Sequence, residues 1–153
     1  MIVIKRMKKG DVKDVARLIG MTFEKFNSGD ATKKGLAFYL SHHSAGKAEE
    51  ELWKSYNNRV SLVALDGNKI IGMIKGSGGH MGNLFVSGKY HGKGVGKKLV
   101  GDFEKKAKGL GIEKIKIRAS IYAIPFYSAC GYKKSTGIRK IHGIKIQPML
   151  KVL

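Results

Sequence analysis

The chain has 153 residues, of which 42% are hydrophobic and 27% are charged. These values predict one folded domain over residues 1–153 and exclude an intrinsically disordered chain. Apolar runs are too short for a transmembrane helix, and the apolar start of the chain is too short for a signal peptide. We therefore expect a cytoplasmic protein with no membrane partner.

The charge of the chain is strongly positive. Against 11 Asp and Glu residues there are 30 Lys and Arg residues, a formal net charge of +19, which attracts nucleic acid, acidic proteins or phosphorylated small molecules. Most of the excess is Lys, which is poorly suited to bidentate recognition of guanine. A nucleic-acid-binding or RNA-associated module without catalysis stays open as a function, and the oligomeric state stays open too, a homodimer included.

Apolar periodicity predicts the elements in chain order. The first half contains a short strand at residues 2–5, an amphipathic helix from about 12 to 26, two shorter helical pieces around 36–40 and 48–56, and a hairpin over 60–74. The second half contains a strand at about 81–86, a helix at about 94–108, a strand at about 114–119, a short helix at 124–129 and two closing strands at about 132–136 and 145–152. This order predicts an α+β fold.

A glycine-rich segment joins the strand at 81–86 to the following helix, and it reads His91-Gly92-Lys93-Gly94-Val95-Gly96. Glycines let the backbone turn tightly, so that several N–H groups approach a phosphate while the helix N-terminus adds its positive dipole end. The neighbouring lysines favour an anion further. The segment therefore predicts a pyrophosphate site.

Spacing separates this loop from two common nucleotide-binding motifs. The P-loop needs four residues between its first Gly and a Gly-Lys pair, and the chain has no such spacing. The dinucleotide fingerprint needs Gly-x-Gly-x-x-Gly, whereas this loop is Gly-x-Gly-x-Gly. A glycine turn that merely caps the helix is the remaining alternative for the segment taken alone.

The loop and its surroundings resemble the acetyl-CoA loop of the GNAT N-acyltransferase family. That family has an apolar strand, a basic or amide residue, then x-x-Gly-x-Gly and an amphipathic helix, and His91 stands where Arg or Gln is usual. A second match, residues 120–132, resembles the family segment Asn-x-x-Ala-x-x-Phe-Tyr-x-x-x-Gly-Phe, with Ser120 for Asn and Tyr132 for the final Phe. The resemblance covers essentially the whole chain.

This resemblance implies a three-layer fold. Its central sheet is mixed and mostly antiparallel, has about six to seven strands, splays at the CoA site and is flanked by about four helices. The cofactor would be acetyl-CoA, and an amine of a small molecule, peptide or protein would be the acceptor. The cofactor-binding residues implied are Leu84, Phe85, Val86, His91, Gly92, Lys93, Gly94, Val95, Gly96, Lys97, Ser120, Phe126 and Tyr127.

The resemblance also implies direct transfer of the acetyl group to a primary amine within a ternary complex. By its position in the motif, Tyr127 matches the residue that protonates the departing thiolate. A phenol suits this role because it is protonated at neutral pH. For the base we expect His80, which titrates in the useful range, with Glu24 and Asp30 as alternatives. An amine that arrives neutral would need no base.

Two further groups of residues receive structural interpretations. His42 and His43 are expected on a solvated helix face. The single Cys130 is expected to be a small core residue rather than a nucleophile, and with no paired Cys the chain predicts neither an internal disulfide nor a metal site.

Overall fold

The computed structural model describes all 153 residues and contains five α-helices. No helix is both long and apolar enough to cross a membrane. The helices are α1 (Val12–Asn27), α2 (Lys33–His42), α3 (Glu49–Tyr56), α4 (Val95–Gly109) and α5 (Ile124–Ala129).

Eight strands form a single sheet. They are β1 (Ile2–Arg6), β2 (Val60–Asp66), β3 (Lys69–Gly76), β4 (His80–Val86), β5 (Lys114–Ser120), β6 (Lys133–Lys134), β7 (Arg139–Ile141) and β8 (Ile144–Val152). The order across the sheet is β1-β2-β3-β4-β5-β8-β6, and β7 pairs with β8 beside that path. All neighbours are antiparallel except β4 and β5, which are parallel.

The parallel contact between β4 and β5 is very short. Only His80 with Lys116 and Met81 with Ile117 are paired. Beyond these positions β4 continues to Val86 along β3, and β5 continues to Ser120 along β8. The two strands therefore separate, and each has a free edge facing the other.

The helices cover the two faces of the sheet. Helix α4 packs one face, where Leu99 and Phe103 lie fully buried beside Ile115 and Ile117. Helices α1 and α3 cover the other face, in a second cluster around Ile19. The second cluster covers β2, β3 and β4, whereas the same face of β5 is exposed, so the opening between β4 and β5 lies at the edge of this covered area.

The fold class, the mixed sheet and the splay at the proposed CoA site are confirmed, but two counts differ. The sheet has eight strands instead of six to seven, and five α-helices flank it instead of four. The closing region causes the first difference: the strand expected at 132–136 is reduced to Lys133–Lys134, and an additional strand, Arg139–Ile141, forms a hairpin with β8. Polar residues at these two short strands gave no apolar alternation to detect.

Candidate active site

A large cavity opens at the splay between β4 and β5. Its volume is about 930 Å³, which is within the range of small-molecule sites. One half is formed by β4, the glycine loop and α5, and we call it the loop half. The other half is formed by α1, α2, the β7–β8 hairpin and the sheet face that carries Asn83 and Phe85 of β4 and Arg118 of β5, and we call it the hairpin half.

The loop half presents a run of free backbone amides. None of the N–H groups of residues 92–97 donates to a carbonyl or side chain, and the first helical bond runs from the Lys98 N–H to the Gly94 carbonyl oxygen at 3.0 Å. Helix α4 has no side-chain N-cap. These six consecutive donors and the helix dipole make the loop a site for an anion.

The three glycines of this loop serve two purposes. Gly92 and Gly94 have φ angles of 73° and 82°, in the left-handed region that other residues disfavour. Gly96 has no such angle, but a Cβ there would lie 3.1 Å from Cζ of Phe126 on α5. Two glycines therefore shape the turn, and the third lets α4 approach α5.

His91 fastens the loop to the end of β4. Its Nε2 lies 2.6 Å from the Val86 carbonyl oxygen, which can only accept, so Nε2 carries the proton. The ring also packs against Phe26 of α1, with centroids 4.6 Å apart. The structure thus gives His91 a positioning contact within the protein.

The free edge of β4 provides polar backbone groups next to this loop. Leu84, Phe85 and Val86 line the cavity and pair with β3 only, leaving their other side open. An extended chain of amides can add to such an edge as a further strand does. Ser120, at the end of β5, also lines the cavity, and its hydroxyl accepts from the Ala123 N–H at 3.3 Å.

Tyr127 lies on α5 where the two free edges diverge. Its side chain is buried, and burial raises the pKa of its hydroxyl above the ordinary value. The hydroxyl makes no hydrogen bond within the protein, yet no fully enclosed side-chain polar atom lacks a partner. The Tyr127 hydroxyl is therefore accessible from the cavity that this residue lines. It is a protonated donor without a partner in the protein.

A buried network supports Tyr127 from behind. The Tyr132 ring packs edge-on against it with centroids 5.8 Å apart, and the Tyr132 hydroxyl donates to Glu104 at 2.9 Å. Lys151 pairs with the same carboxylate at 3.1 Å. Tyr132 thus makes a hydrogen bond to Glu104 that a phenylalanine at this position could not make.

The other predicted residues divide into those that line the cavity and those that do not. Gly92, Val95, Lys97 and Phe126 line it, whereas Lys93 does not. Cys130 lines its margin, and burial raises the pKa of its thiol, which disfavours the nucleophilic thiolate.

None of the three proposed bases lines the cavity. His80 lies at the closed end of the splay, where it pairs with Lys116. The pKa of its ring is lowered first by burial and then by nearby cations. Glu24 and Asp30 lie elsewhere on α1 and the following turn. The geometry supports none of these residues as the base.

The hairpin half contains polar side chains that the sequence did not single out. Asn83 of β4 donates to the Tyr39 hydroxyl of α2 at 3.1 Å. His43 is half-buried and its Nδ1 lies 2.8 Å from the Tyr56 hydroxyl, so the expectation of a solvated face is wrong for His43. Burial and neighbouring cations lower its pKa to about 4, so the ring is neutral at pH 7. Tyr39 and Tyr56 come from separate helices, a proximity that no local motif encodes.

One wall of the hairpin half is formed where α2 packs against the β7–β8 hairpin. His142, at the hairpin turn, has a φ of 49° and stacks on Phe38 with centroids 4.6 Å apart. The Thr32 N–H donates to the Gly143 carbonyl oxygen at 2.8 Å. A Cβ on Gly35 would lie 2.7 Å from the His142 carbonyl oxygen, so this glycine sets how closely the hairpin packs.

Free amides at a helix N-terminus fit a pyrophosphate, and the adjacent free edge of β4 fits an amide-containing arm, so the residues present suit coenzyme A. The comparisons agree with this fit. A family model described as an acetyltransferase (GNAT) domain matches residues 27–153. No protein of curated function matches the chain.

Several solved structures share the fold. A GCN5-related N-acetyltransferase from Rhodopseudomonas palustris is similar with a TM-score of 0.84 and 22% identity, covering 99% of this chain and 95% of that one. The PaiA N-acetyltransferase from Thermoplasma acidophilum, in complex with coenzyme A, gives 0.78 and 19%, covering 100% and 99%. An aminoglycoside 6'-N-acetyltransferase complexed with coenzyme A gives 0.69 and 14%, covering 98% and 96%. Because the family model spans most of the chain, this protein belongs to the GNAT acetyltransferase family, whose cofactor is acetyl-CoA.

Proposed function

We propose that this protein is an N-acetyltransferase that moves an acetyl group from acetyl-CoA to a primary amine by direct attack in a ternary complex. The observation that carries the proposal is the run of six unpartnered amides beside a free strand edge that leads to the unpartnered hydroxyl of Tyr127. Phosphate binding, alignment of an extended arm and proton donation are thereby arranged along one cavity.

The chain's own groups divide the binding of the cofactor. The amides of residues 92–97 and the Lys97 ammonium hold the pyrophosphate, while the free edge of Leu84 to Val86 holds the arm. Acetyl-CoA, when bound, supplies an activated acyl thioester. The free edge then holds the reacting carbon near the acceptor, which lowers the entropy cost of reaction.

Tyr127 supplies the proton that the departing thiolate needs. Its raised pKa keeps the hydroxyl protonated at neutral pH, and the absence of an internal partner leaves that proton available. Cys130 would not act as an acyl carrier, because its thiol also has a raised pKa.

The charge of the cavity lining bears on the protonation state in which the amine enters. No Asp or Glu is among the lining residues, while Lys97 and Arg118 are. A positive field disfavours an ammonium ion and so favours the neutral, nucleophilic amine. We therefore propose that the amine enters neutral and that no carboxylate base is used. The proton that the nitrogen loses as the amide forms replaces the one that Tyr127 gives to the thiolate, so Tyr127 ends protonated.

Calorimetric titration with acetyl-CoA tests the binding site. Gly94→Val places a β-branched residue at a φ of 82°, and strain of about 1–3 kcal/mol predicts an affinity about 10- to 100-fold lower. Gly101→Ala is the matched control, because this helical glycine has open space around it and alanine favours a helix. Equal affinity of Gly94→Val and the control would refute the site.

Transfer itself is tested by release of CoA thiol that depends on an added amine. A panel of primary amines should show saturable release with acetyl-CoA, and wild-type protein that binds acetyl-CoA but acetylates no amine would refute the proposed activity.

The alternative of a nucleic-acid-binding module is supported by the net charge of +19. It stays a prediction that a mobility-shift assay at rising salt tests.

A further inference from the structure

The hairpin half of the cavity lacks the group that a polyamine site needs. A cationic substrate is held by carboxylates, and none of the residues lining this cavity is Asp or Glu. The chain does possess acidic residues, but those of α1 and α3 lie outside the cavity. A second or third ammonium group on the acceptor would have no counter-charge here.

Arg118 is the cation that this half presents instead. On β5, Ile117 and Ala119 face the α4 core, so the exposed Arg118 lies on the opposite face of the sheet, the face that α1 covers at β3 and β4. It is the first residue of β5 past the last pair with β4, and it lines the cavity. No salt bridge or side-chain hydrogen bond engages it within the protein.

The surroundings of Arg118 add to its positive field. Lys116 precedes it on the same face of β5, and Lys75 lies nearby on β3. The charges that lower the pKa of His80 are those of Arg118, Lys75 and Lys116. Cations, Lys75 first, also lower the pKa of His43 in addition to its burial. No anion offsets these effects at either histidine.

The remaining walls of this half combine aromatic rings with polar side chains such as Asn83 and His43. Phe38 and Tyr39 of α2 and Phe85 of β4 line the cavity, and the Tyr39 and Phe85 ring centroids are 6.4 Å apart. Such walls accommodate the carbon skeleton of a small acceptor. They leave Arg118 as the charged group that can fix its orientation.

We propose that the acceptor is a small primary amine that carries its own anionic group, a carboxylate or a phosphate, and that Arg118 binds this group. The guanidinium is planar and always charged, and its parallel donors match both oxyanions in a bidentate manner. The inference rests on the proposed function and specifies its acceptor: the same field that keeps the amine neutral attracts the far end of the molecule and repels di- and polyamines.

Matched amines test the substrate class. In one pair, 4-aminobutyrate and putrescine share a four-carbon skeleton and differ in a carboxylate against a second amine. In the other, phosphoethanolamine differs from ethanolamine by its phosphate. We expect kcat/KM to be at least about tenfold higher for the anionic member of a pair, since a charged hydrogen bond contributes about 1.5–3 kcal/mol. The pair with the larger ratio identifies carboxylate or phosphate as the recognised group.

Substitution of Arg118 tests the residue. Arg118→Gln should raise KM for the anionic amine about 10- to 100-fold, while KM for acetyl-CoA stays within about twofold and the uncharged amine is unaffected. Arg118→Lys should recover part of the loss, because it restores the charge without the planar fork. Lys114→Gln, four residues away on the same sheet face and outside the cavity lining, is the matched control and should behave as wild type.

The outcomes separate this inference from the proposed function. Acetyl transfer that prefers putrescine or spermidine to the anionic amines would leave the acetyltransferase in place and overturn the anionic acceptor. A rise in KM for acetyl-CoA alone in Arg118→Gln would assign this residue to the cofactor and overturn its proposed role. Acetyl-CoA binding without transfer to any amine of the panel would overturn the proposed function itself.

Discussion

The two halves of the cavity offer different kinds of groups to the ligands that we propose. The loop half offers backbone groups: the amides of residues 92–97 and the free edge of β4. The hairpin half offers side chains, among them Tyr39, His43 and Arg118, from elements far apart in the chain. Backbone recognition tolerates changes of side chain as long as the turn and the splay persist, whereas side-chain recognition changes with each substitution.

This difference has a consequence for how one fold can serve many acceptors. The loop half depends on a few glycines and on strand pairing, so it can stay constant among distant relatives. The hairpin half depends on α2 and on the turn of the β7–β8 hairpin that contacts it, and both can change without altering the glycine loop or the free edge of β4. Substitutions in the two halves should therefore separate cofactor binding from acceptor binding.

The largest effect should come from Tyr127, where the halves meet. Tyr127→Phe removes the proton donor but keeps the ring in its core position, so kcat should fall about 100-fold or more under chemistry-limited conditions. Affinity for acetyl-CoA should change little in calorimetry. Tyr132→Phe is the control, because its hydroxyl bonds Glu104 behind the site. Full kcat in Tyr127→Phe would remove this residue as the acid.

A change at the hairpin contact should affect the acceptor alone. Gly35→Ala brings a methyl group within 2.7 Å of the His142 carbonyl oxygen and must displace the hairpin, so KM for the amine should rise about tenfold. The dissociation constant for acetyl-CoA should not change. Gly29→Ala, also near α2 but with open space at its Cβ, should leave both constants alone. Weakened acetyl-CoA binding in Gly35→Ala would break the division between the halves.

A smaller effect is expected where a side chain supports the loop half. His91→Leu removes the bond to the Val86 carbonyl, and the loss of about 0.5–1.5 kcal/mol predicts acetyl-CoA binding that is about 3- to 10-fold weaker. His91→Gln keeps an N–H donor and should bind more tightly than His91→Leu. Equal calorimetric affinities of the two variants would show that the bond contributes nothing.

The smallest effect on activity at neutral pH is expected at His43, which affects stability in acid. The ordinary pKa of His43 is 6.5 and the folded protein lowers it to about 4, so the unfolded chain binds more protons between these values. The contribution of His43 to the free energy of unfolding should be fully present above pH 6.5 and should be lost as the pH is lowered toward 4. His43→Gln should flatten this part of the profile in denaturant titrations. His42→Gln serves as comparison and should change the slope less, because His42 is a smaller cause of the lowered pKa of His43 than burial and Lys75 are.

The loop half could be predicted from the sequence because its determinants are local. The strand 81–86, the glycine spacing and the helix that follows are contiguous, and their periodicity and motif identify a phosphate site before any contact is known. The segment ending in Phe126 and Tyr127 is similarly compact. Of the cofactor-binding residues that the resemblance implies, all except Lys93 line the cavity.

The hairpin half could not be predicted because its determinants are distant contacts. Nothing local indicates that His43 meets Tyr56 or that Gly35 meets His142. His80 was attractive for its titration range, but the short pairing of β4 with β5 leaves it at the closed end of the splay. Arg118 looked like one basic residue among 30, and only the strand register shows which face it occupies.

The short pairing between β4 and β5 also affects the mechanical unity of the protein. Two paired positions connect one half-sheet, β1 to β4, to the other, β5 to β8. A ligand that bonds to the free edge of β4 and also contacts Ser120 at the end of β5 adds a bridge across this seam. At a ligand concentration of 100 times Kd, the linkage amounts to about 2.7 kcal/mol. We expect ligand binding to slow hydrogen exchange at the Leu84 and Val86 amides and to raise Tm. The cofactor would then also stabilise the folded chain by connecting its two half-sheets.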